Sequence, residues 1–260
     1  MQRQRFELKY IINEETALKV RDFVSGELDM DEYSVGRPNY SYPVHSLYID
    51  SDDLRLYWET INGNKNRYKL RLRFYTTNPD APVFFEIKRR MNNIIMKQRG
   101  GVRQEAVAWL LDGQLPTEEH LVARNNPKHL VALQRFCQLM CDMRGKPKVH
   151  ICYEREAYVS DDDTVRVTLD RHVMAEENLS STIKTEMEFP VHRFVKQVIL
   201  ELKFTNRFPN WFRHLVHRFN VMQCGAAKYI SSVEGVGRAR LDAWGSPPLV
   251  AEAHDLCDYS

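Results

Sequence analysis

Basic and apolar side chains alternate in residues 66–75, whose sequence is NRYKLRLRFY. The basic residues are Arg67, Lys69, Arg71 and Arg73, and the residues between them are Tyr68, Leu70, Leu72 and Phe74. Successive side chains of a β-strand point to opposite faces, so a strand here would carry four cations on one face. Water covers many charged strand faces, but a row of Lys and Arg also matches the oxygen atoms of a phosphate chain.

The pattern recurs elsewhere with acids added. Three other segments contain Glu-x-Lys, which puts an acid and a base on the same face of a strand. They are Glu7 with Lys9, Glu86 with Lys88, and Glu201 with Lys203. The solvated face of an antiparallel sheet also alternates, but such faces mix Thr, Ser and Gln with the charges. The dominance of Arg and Lys here favours a face that is turned toward a ligand.

These strands could enclose a ligand if they closed into a barrel. A barrel of about eight strands has room for one small ligand. Cations crowded inside it would repel one another and lose their hydration, so they would need a polyanion. The glutamates would repel phosphate unless they held a divalent cation, and Mg²⁺ is bound by one or two carboxylates together with substrate phosphates. The mixed faces therefore predict a metal ion and a chain of phosphates.

Hydrophobic periodicity predicts the elements that position these side chains. Strands are predicted at 3–12, 44–50, 66–75, 82–90, 93–99, 148–158, 164–173 and 197–204. Helices are predicted at 14–27, from residue 53 to about 61, within 103–142 with breaks near Pro116 and Pro127, and after Pro209. We expect an α+β fold, a closed antiparallel β-barrel with helices packed on its outside. Residues 1–236 would form the domain and 237–260 a C-terminal tail.

Composition excludes several classes of protein. With 37 basic and 35 acidic residues, the net charge is only +2, whereas a nucleic-acid-binding protein is more often strongly basic. The aromatic residues of 66–75 lie on the face opposite the cations, which also disfavours base stacking. The five cysteines form no CxxC pair, which argues against disulfides and zinc. Because neither a signal peptide nor a membrane-spanning run is evident, we expect a cytoplasmic protein.

Nine short segments occur in an order that resembles a known family. They are FELKY, SLYID, KLRLRFY, FEIK, MKQR, YEREAY, VRVTLD, LELKF and KYISS, between about residues 3 and 235. In this order and spacing the chain resembles the vacuolar transporter chaperone (VTC) domain, which is similar to the CYTH and triphosphate tunnel metalloenzyme superfamily. The resemblance implies a β-barrel tunnel that binds the phosphates of nucleoside triphosphates. It also implies a polyphosphate polymerase that uses the terminal phosphate of ATP, with Mn²⁺ or Mg²⁺ as cofactor.

The resemblance also assigns roles to residues. The catalytic set would be Arg71, Arg73, Lys88, Arg155 and Glu201. Further contacts to substrate phosphates would come from Lys9, Lys97, Tyr153, Arg166, Lys203 and Lys228. Glu201, supported by Glu7, would bind the metal. The partners implied are ATP and inorganic polyphosphate, and a membrane-protein partner in trans; nucleic acid is not expected. Arg67, Lys69, Arg90 and Arg99 have no match in the family, so we expect them at the tunnel mouth or in solvent.

Two departures from the family pattern bear on the reaction. The hydrolase branch of the superfamily carries ExExK on its first strand, whereas Arg5 replaces the first acid here, which favours a polymerase over a triphosphatase. Ala227 stands where the VTC pattern has a serine before Lys228. Because the chain starts at the first predicted strand, we expect a stand-alone, bacterial-type version. A tunnel-type triphosphate or polyphosphate hydrolase and a non-catalytic polyphosphate-binding module remain alternatives.

Four histidines have no spacing typical of a metal or catalytic site. They are His45, His150, His172 and His192. No HxH or HxxxH pair would bring two of them onto one face of a strand or helix. We expect them on the surface or in satisfied core positions.

Overall fold

The computed structural model describes residues 5–241, except residues 93 and 125. Within this part of the chain, ten strands form one sheet in which every pairing is antiparallel. The strands are β1 (Arg5–Asn13), β2 (Asp29–Met30), β3 (Tyr42–Asp50), β4 (Asn66–Phe74), β5 (Val83–Met91), β6 (Ile94–Val102), β7 (Lys146–Val159), β8 (Val165–Glu177), β9 (Val191–Arg193) and β10 (Gln197–Thr205).

Helices connect the strands or follow the last of them. They are α1 (Glu14–Val24), α2 (Arg55–Ile61), α3 (Val107–Leu111), α4 (Pro127–Asp142), α5 (Asn210–Arg218), α6 (Lys228–Val236) and α7 (Arg238–Leu241). Asn13 and Asn126 cap α1 and α4 by accepting from the backbone N–H groups of Thr16 and Lys128. None of the helices in the described residues has the length and hydrophobicity needed to span a bilayer.

The strand order returns toward its start. Eight strands are neighbours in the order β7-β3-β4-β5-β6-β1-β10-β8, and β8 also pairs with β7. One junction is weak, because the recorded pairing of β1 with β6 joins a single pair of residues, Arg5 and Ile95. The predicted α+β fold rich in antiparallel strands is confirmed. The closed barrel stays a prediction.

The apolar face of each strand packs against helices. Leu70 and Leu72 of β4 are fully buried in one cluster with Leu133 and Phe136 of α4. A second cluster joins β1 and β10 to α1 and α5, and a third places α6 against β7 and β8. The polar residues that alternate with these core residues therefore face the other side of the sheet.

The predicted elements agree with most of this architecture. Pro209 directly precedes α5, and Pro127 is the first residue of α4. The fixed φ of proline favours these positions at the start of a helix. The short strands β2 and β9 were not predicted, and neither was α6, because its sequence KYISSVEGV mixes β-branched residues and glycine into the helical pattern. Residues 238–241 of the predicted tail form α7, with Leu241 buried, while 242–260 lie outside the described residues.

The histidine predictions are confirmed for His45, His172 and His192, whereas His150 is buried with its Nδ1 lacking a hydrogen-bond partner among the described residues. His45 and His150 are buried on neighbouring strands, and His45 Nδ1 lies 3.1 Å from His150 Nε2. Burial lowers the pKa of His45 to about 4 and that of His150 to about 3, so both rings are neutral at neutral pH. His172 and His192 are exposed.

Gly100 sets how closely α4 approaches β6. A Cβ at this position would lie 2.7 Å from the His129 carbonyl oxygen and 3.1 Å from Leu133 Cβ. We expect Gly100→Ala to lower the free energy of unfolding in urea by about 1–3 kcal/mol, because the helix must move away. Gly26→Ala is the control, since its Cβ would meet nothing nearer than 3.5 Å. Equal stability of the two variants would contradict the prediction.

Candidate active site

The polar faces of the strands surround a cavity of about 520 Å³. Its walls come mainly from β1, β4, β5, β7 and β10 and from residues 223–229 at the start of α6. Eleven of its 24 lining residues are Lys or Arg and two are acids. The cations are Lys9, Arg67, Lys69, Arg71, Arg73, Lys88, Arg89, Arg90, Arg155, Lys203 and Lys228, and the acids are Glu7 and Glu201. Such an excess of positive charge favours a ligand that carries several negative charges.

Ten of the twelve residues assigned to the site from the sequence line this cavity. The two others, Lys97 and Arg166, do not line it. The Lys97 ammonium lies 2.5 Å from Glu86 Oε1. Arg166 pairs with Asp31 and also approaches the Tyr42 hydroxyl at 3.5 Å. Both are held by carboxylates, and their role in ligand binding stays a prediction.

Glu201 is the centre of the charge network. It faces Lys9 across the β1–β10 pairing. Four cations surround its carboxylate: Lys203 at 2.5 Å, Lys228 at 3.1 Å, Lys9 at 3.2 Å and Arg155 at 3.4 Å. Burial alone would raise the pKa of Glu201, but these cations hold that pKa well below its usual range. The carboxylate is therefore ionised at any pH at which the protein would work.

Glu7 has a similar but smaller set of partners. Its carboxylate accepts from the Lys88 ammonium at 2.9 and 3.0 Å, and Lys9 lies 3.3 Å away. Burial would raise the pKa of Glu7, yet the nearby Lys88 and Lys9 lower it below the ordinary value. Lys9 bridges Glu7 and Glu201, so one ammonium group links the two acids that line the cavity.

Asp170 was not among the predicted site residues, although it fixes two of them. Both nitrogens of the Arg155 fork donate to Asp170 at 2.7 Å, and the Lys228 ammonium lies 2.5 Å from the same carboxylate. Asp170 is fully buried. The alternation of side chains places Asp170 on the same strand face as Arg166 and Thr168. Sequence alone does not reveal which cation faces it.

Arg71 and Arg73 are neighbours on one face of β4 with different partners. Arg71 donates to Glu86 Oε2 through two nitrogens, at 2.8 and 2.9 Å, and to the Tyr48 hydroxyl at 3.1 Å. Arg73 is buried and donates only to hydroxyl groups, of Ser46 at 3.1 Å and Tyr153 at 3.0 Å. Its Nε has no hydrogen-bond partner. Arg73 is thus a buried guanidinium that forms no ion pair with a carboxylate of the described residues, although its charge helps to lower the pKa of Glu86.

Lys69 lacks a carboxylate partner within the described residues. Its nearest recorded partner is the ring of Tyr229, whose centroid is 5.6 Å from the ammonium. It stands directly opposite Lys88 in the β4–β5 register. Burial lowers the pKa of Lys69 to about 8, and the charges of Lys9 and Lys88 act in the same direction. The Tyr48 hydroxyl acts in the opposite direction and raises the pKa of Lys69.

A buried carboxylate supports the aromatic wall of the cavity. Asp50, at the end of β3, accepts from the backbone N–H groups of Leu56 and Tyr57 at 2.9 and 3.0 Å and from the Tyr229 hydroxyl at 2.5 Å. The Tyr229 ring stacks on Tyr48 with centroids 4.7 Å apart. Asp50 thereby connects the start of α2 to the two tyrosines that contact Lys69 and Arg71.

The two cavity acids fit a metal that arrives with phosphates. Among the described residues, no group of three or more His, Cys, Asp or Glu side chains could hold a metal ion. Glu7 and Glu201 supply two carboxylates that Lys9 now bridges. Mg²⁺ is commonly bound by one or two carboxylates together with phosphate oxygens. The donor set therefore suits a shared protein–substrate site and does not suit a metal centre built from protein alone.

Comparison with known proteins identifies the family. The family model of the VTC domain matches residues 4–236. The chain belongs to the VTC domain family. Vacuolar transporter chaperone complex subunit 2 of Schizosaccharomyces pombe is 25% identical to it over 157 residues, which are 57% of this chain and 21% of that protein. This VTC-domain chain therefore spans about a fifth of the length of that relative.

Solved structures with a similar arrangement include two proteins of different origin. A protein of Pyrococcus horikoshii OT3 has a TM-score of 0.44 and 13% identity, with 87% of this chain and 96% of the other covered. A putative adenylyl cyclase from Hippeastrum, described as having a dominant triphosphatase activity, has a TM-score of 0.45 and 11% identity, with coverages of 90% and 96%.

The two departures from the VTC pattern lie in different surroundings. Arg5 is exposed at the beginning of β1, opposite Thr205, and does not line the cavity. Ala227 lines the cavity directly before Lys228, at the N-terminal boundary of α6. The serine hydroxyl that the family pattern places there would thus have reached the cavity wall.

The single variants Arg71→Met and Arg73→Met should differ in stability but should both lose ligand binding. Arg71→Met removes two hydrogen bonds from the buried Glu86 carboxylate, which keeps Lys97 as a partner, so we expect the unfolding free energy to fall by about 2–3 kcal/mol. Arg73→Met removes a cation that has no carboxylate, so we expect a change in unfolding free energy within about 1 kcal/mol. Both variants should lose most of the stabilisation that tripolyphosphate gives in thermal melts. Equal destabilisation by the two substitutions would be inconsistent with this interpretation.

The affinity of the cavity for tripolyphosphate should fall as pH rises through 8. Lys69 loses its proton near this pH in the free protein, whereas a bound polyanion favours the charged form and raises its pKa. Binding above pH 8 should therefore take up a proton, measurable by calorimetry in buffers of different ionisation enthalpy. Lys69→Arg, which stays charged, should reduce the uptake, and the remainder is expected from Lys203, whose pKa burial also lowers to about 8. Uptake of the same size in this variant would assign the proton to another group.

Proposed function

We propose that this chain is a polyphosphate polymerase, which transfers the terminal phosphate of ATP to a growing inorganic polyphosphate chain. The observation that carries the proposal is the composition of the cavity wall, with eleven cations and two acids. Arg73 and Lys69 have no carboxylate partner in the described residues. A linear chain of phosphates supplies negative charge at several successive positions, which matches rows of cations spaced along neighbouring strands.

Some residues of the cavity would bind phosphate, and others hold the phosphate-binding residues in position. Arg71 and Arg155 line the cavity and are held in place by Glu86 and Asp170. Arg73, Lys88 and Lys228 complete the wall that would bind and orient the phosphates. Because these cations are already in place, they can stabilise charge that develops during phosphoryl transfer without reorganising.

Phosphoryl transfer to a phosphate chain needs no general base from the protein. The accepting phosphate is ionised at neutral pH, and positioning and charge neutralisation supply most of the rate. A divalent cation, Mn²⁺ or Mg²⁺, would be held by Glu201 with Glu7 beside it and would neutralise charge on the phosphates. Since the pKa of Glu201 is strongly lowered, its carboxylate does not need to lose a proton before it binds such a cation.

We further propose that the ring of strands closes into a tunnel, so that the nucleotide and the product chain occupy different ends. β7 pairs with both β3 and β8, so the strand order returns to its start, which supports this arrangement. We propose a cytoplasmic site of action with a membrane protein as partner in trans. The absence of disulfides at Cys137, Cys141 and Cys152 supports a reducing compartment, and the named relative is a subunit of a complex.

The decisive experiment is incubation with γ-labelled ATP and Mn²⁺ or Mg²⁺, followed by gel analysis. A polymerase places the label in chains longer than a triphosphate. Label released only as orthophosphate or pyrophosphate would establish a hydrolase. Unchanged ATP together with bound polyphosphate would establish a binding module.

Glu201→Gln should lower turnover more than about a hundredfold, as the removal of a group that stabilises developing charge does. The variant should still bind tripolyphosphate, because it removes negative charge from the cavity. Glu27→Gln, a substitution of an exposed acid near the end of α1, is the matched control and should leave turnover unchanged. Thermal melting shows whether Glu201→Gln is folded. Full activity of a folded Glu201→Gln protein would exclude the proposed role.

A further inference from the structure

Two arginines without a counterpart in the family pattern, Arg67 and Arg90, form an outer row at one end of the cavity. Arg67 at the start of β4 and Arg90 near the end of β5 stand directly opposite each other in the strand register. Both line the cavity. Like charges directly opposite each other destabilise a sheet. The next pair inward on the same face, Lys69 and Lys88, has like charges as well.

The outer row is not neutralised by carboxylates. Arg67 donates to the Asn64 carbonyl at 2.5 Å and Arg90 to the Asn92 carbonyl at 2.8 Å. Neither forms an ion pair with another described residue. Deeper in the cavity, by contrast, Glu86 holds Arg71 and Glu7 holds Lys88. Burial and the charge of Arg90 lower the pKa of Arg67, which is the expected effect of an uncompensated neighbour.

The distance between the inner and outer cations exceeds the reach of a short ligand. Arg67 and Arg73 are six residues apart on β4, which corresponds to roughly 20 Å along an extended strand. By this backbone spacing, three linked phosphates in contact with Arg73 would leave Arg67 unoccupied. A longer chain can contact the inner cations and continue past Lys69 to the outer pair.

We propose that Arg67 and Arg90 form an outer subsite that binds phosphates of an inorganic polyphosphate chain beyond the third, so that the site discriminates by chain length. This inference rests on the proposed function for the nature of the ligand. The chemistry that recognises the ligand is a pair of guanidinium forks aimed at successive phosphate groups. The backbone of a single-stranded nucleic acid carries related chemistry and serves as the competing ligand in the test.

The test compares tripolyphosphate with long-chain polyphosphate as ligands of the full chain. Dissociation constants are measured by calorimetry at several salt concentrations for the wild type and for the double variant Arg67→Gln/Arg90→Gln. Arg135→Gln/Arg213→Gln is the matched control, because these exposed arginines lie on α4 and α5 outside the cavity. Thermal melting verifies that each variant is folded.

We expect the double variant to bind long chains at least tenfold more weakly and tripolyphosphate as the wild type does. The slope of log affinity against log salt for the long chain should decrease by about 0.7 to 1 for each arginine removed. The control variant should match the wild type with both ligands. A role of the arginines in folding alone would not change the salt slope for one ligand and spare the other.

Three results would overturn the inference. Equal loss of affinity for both ligands would make the arginines part of the inner site, and unchanged affinity for both would make them solvated surface charges. Preferential loss of single-stranded RNA binding would point to a different ligand. If the wild type binds polyphosphate but makes none from ATP, the proposed function fails while the outer subsite can still be tested by the same binding measurements. If it binds no polyphosphate, both fail.

Discussion

Mutual repulsion among the cavity cations is the constraint on which the rest of the structure depends. Taking so many ammonium and guanidinium groups away from bulk water costs several kcal/mol for each ion that lacks a partner. The fold limits that cost by sharing few carboxylates among many cations. Glu201 contacts four of them, and Glu7 and Asp170 contact two each. The sheet can then keep one face basic while the other packs into the core.

The sharing of acids leaves an uneven distribution of charge inside the cavity. Around β1 and β10 each cation has an acid within 3.4 Å, as Lys9 and Lys203 show. On β4 and β5 the balance changes along the strands, and Arg73, Lys69 and Arg67 have hydroxyl, aromatic or carbonyl partners instead. The cavity thus has a side on which acids and cations are paired and a side on which several cations have no carboxylate partner among the described residues.

Alternation of side chains was the part of the structure most accessible from sequence. It placed Arg71, Lys88 and Glu201 on charged strand faces that line one cavity, because period-two patterns fix the face of a residue once its strand is known. Which acid meets which cation depends on strand register, and no local pattern encodes it. Asp170 and the Asp50–Tyr229 contact were missed for that reason. Lys97 and Arg166 carry the correct residue types in the correct phase, but they pair with Glu86 and Asp31 and do not line the cavity.

The junction between β1 and β6 has a consequence for the motions of the protein. Elsewhere in the ring, neighbouring strands share runs of paired residues, whereas here one pair, Arg5 with Ile95, is recorded. Local opening requires the breaking of backbone hydrogen bonds, so its free energy is smallest where these bonds are fewest. Amide protons on the facing edges of these two strands will exchange with solvent deuterium sooner than those between β3 and β7. Opening at this junction would expose the polar faces of both strands, and with them the β1 wall of the cavity, to solvent.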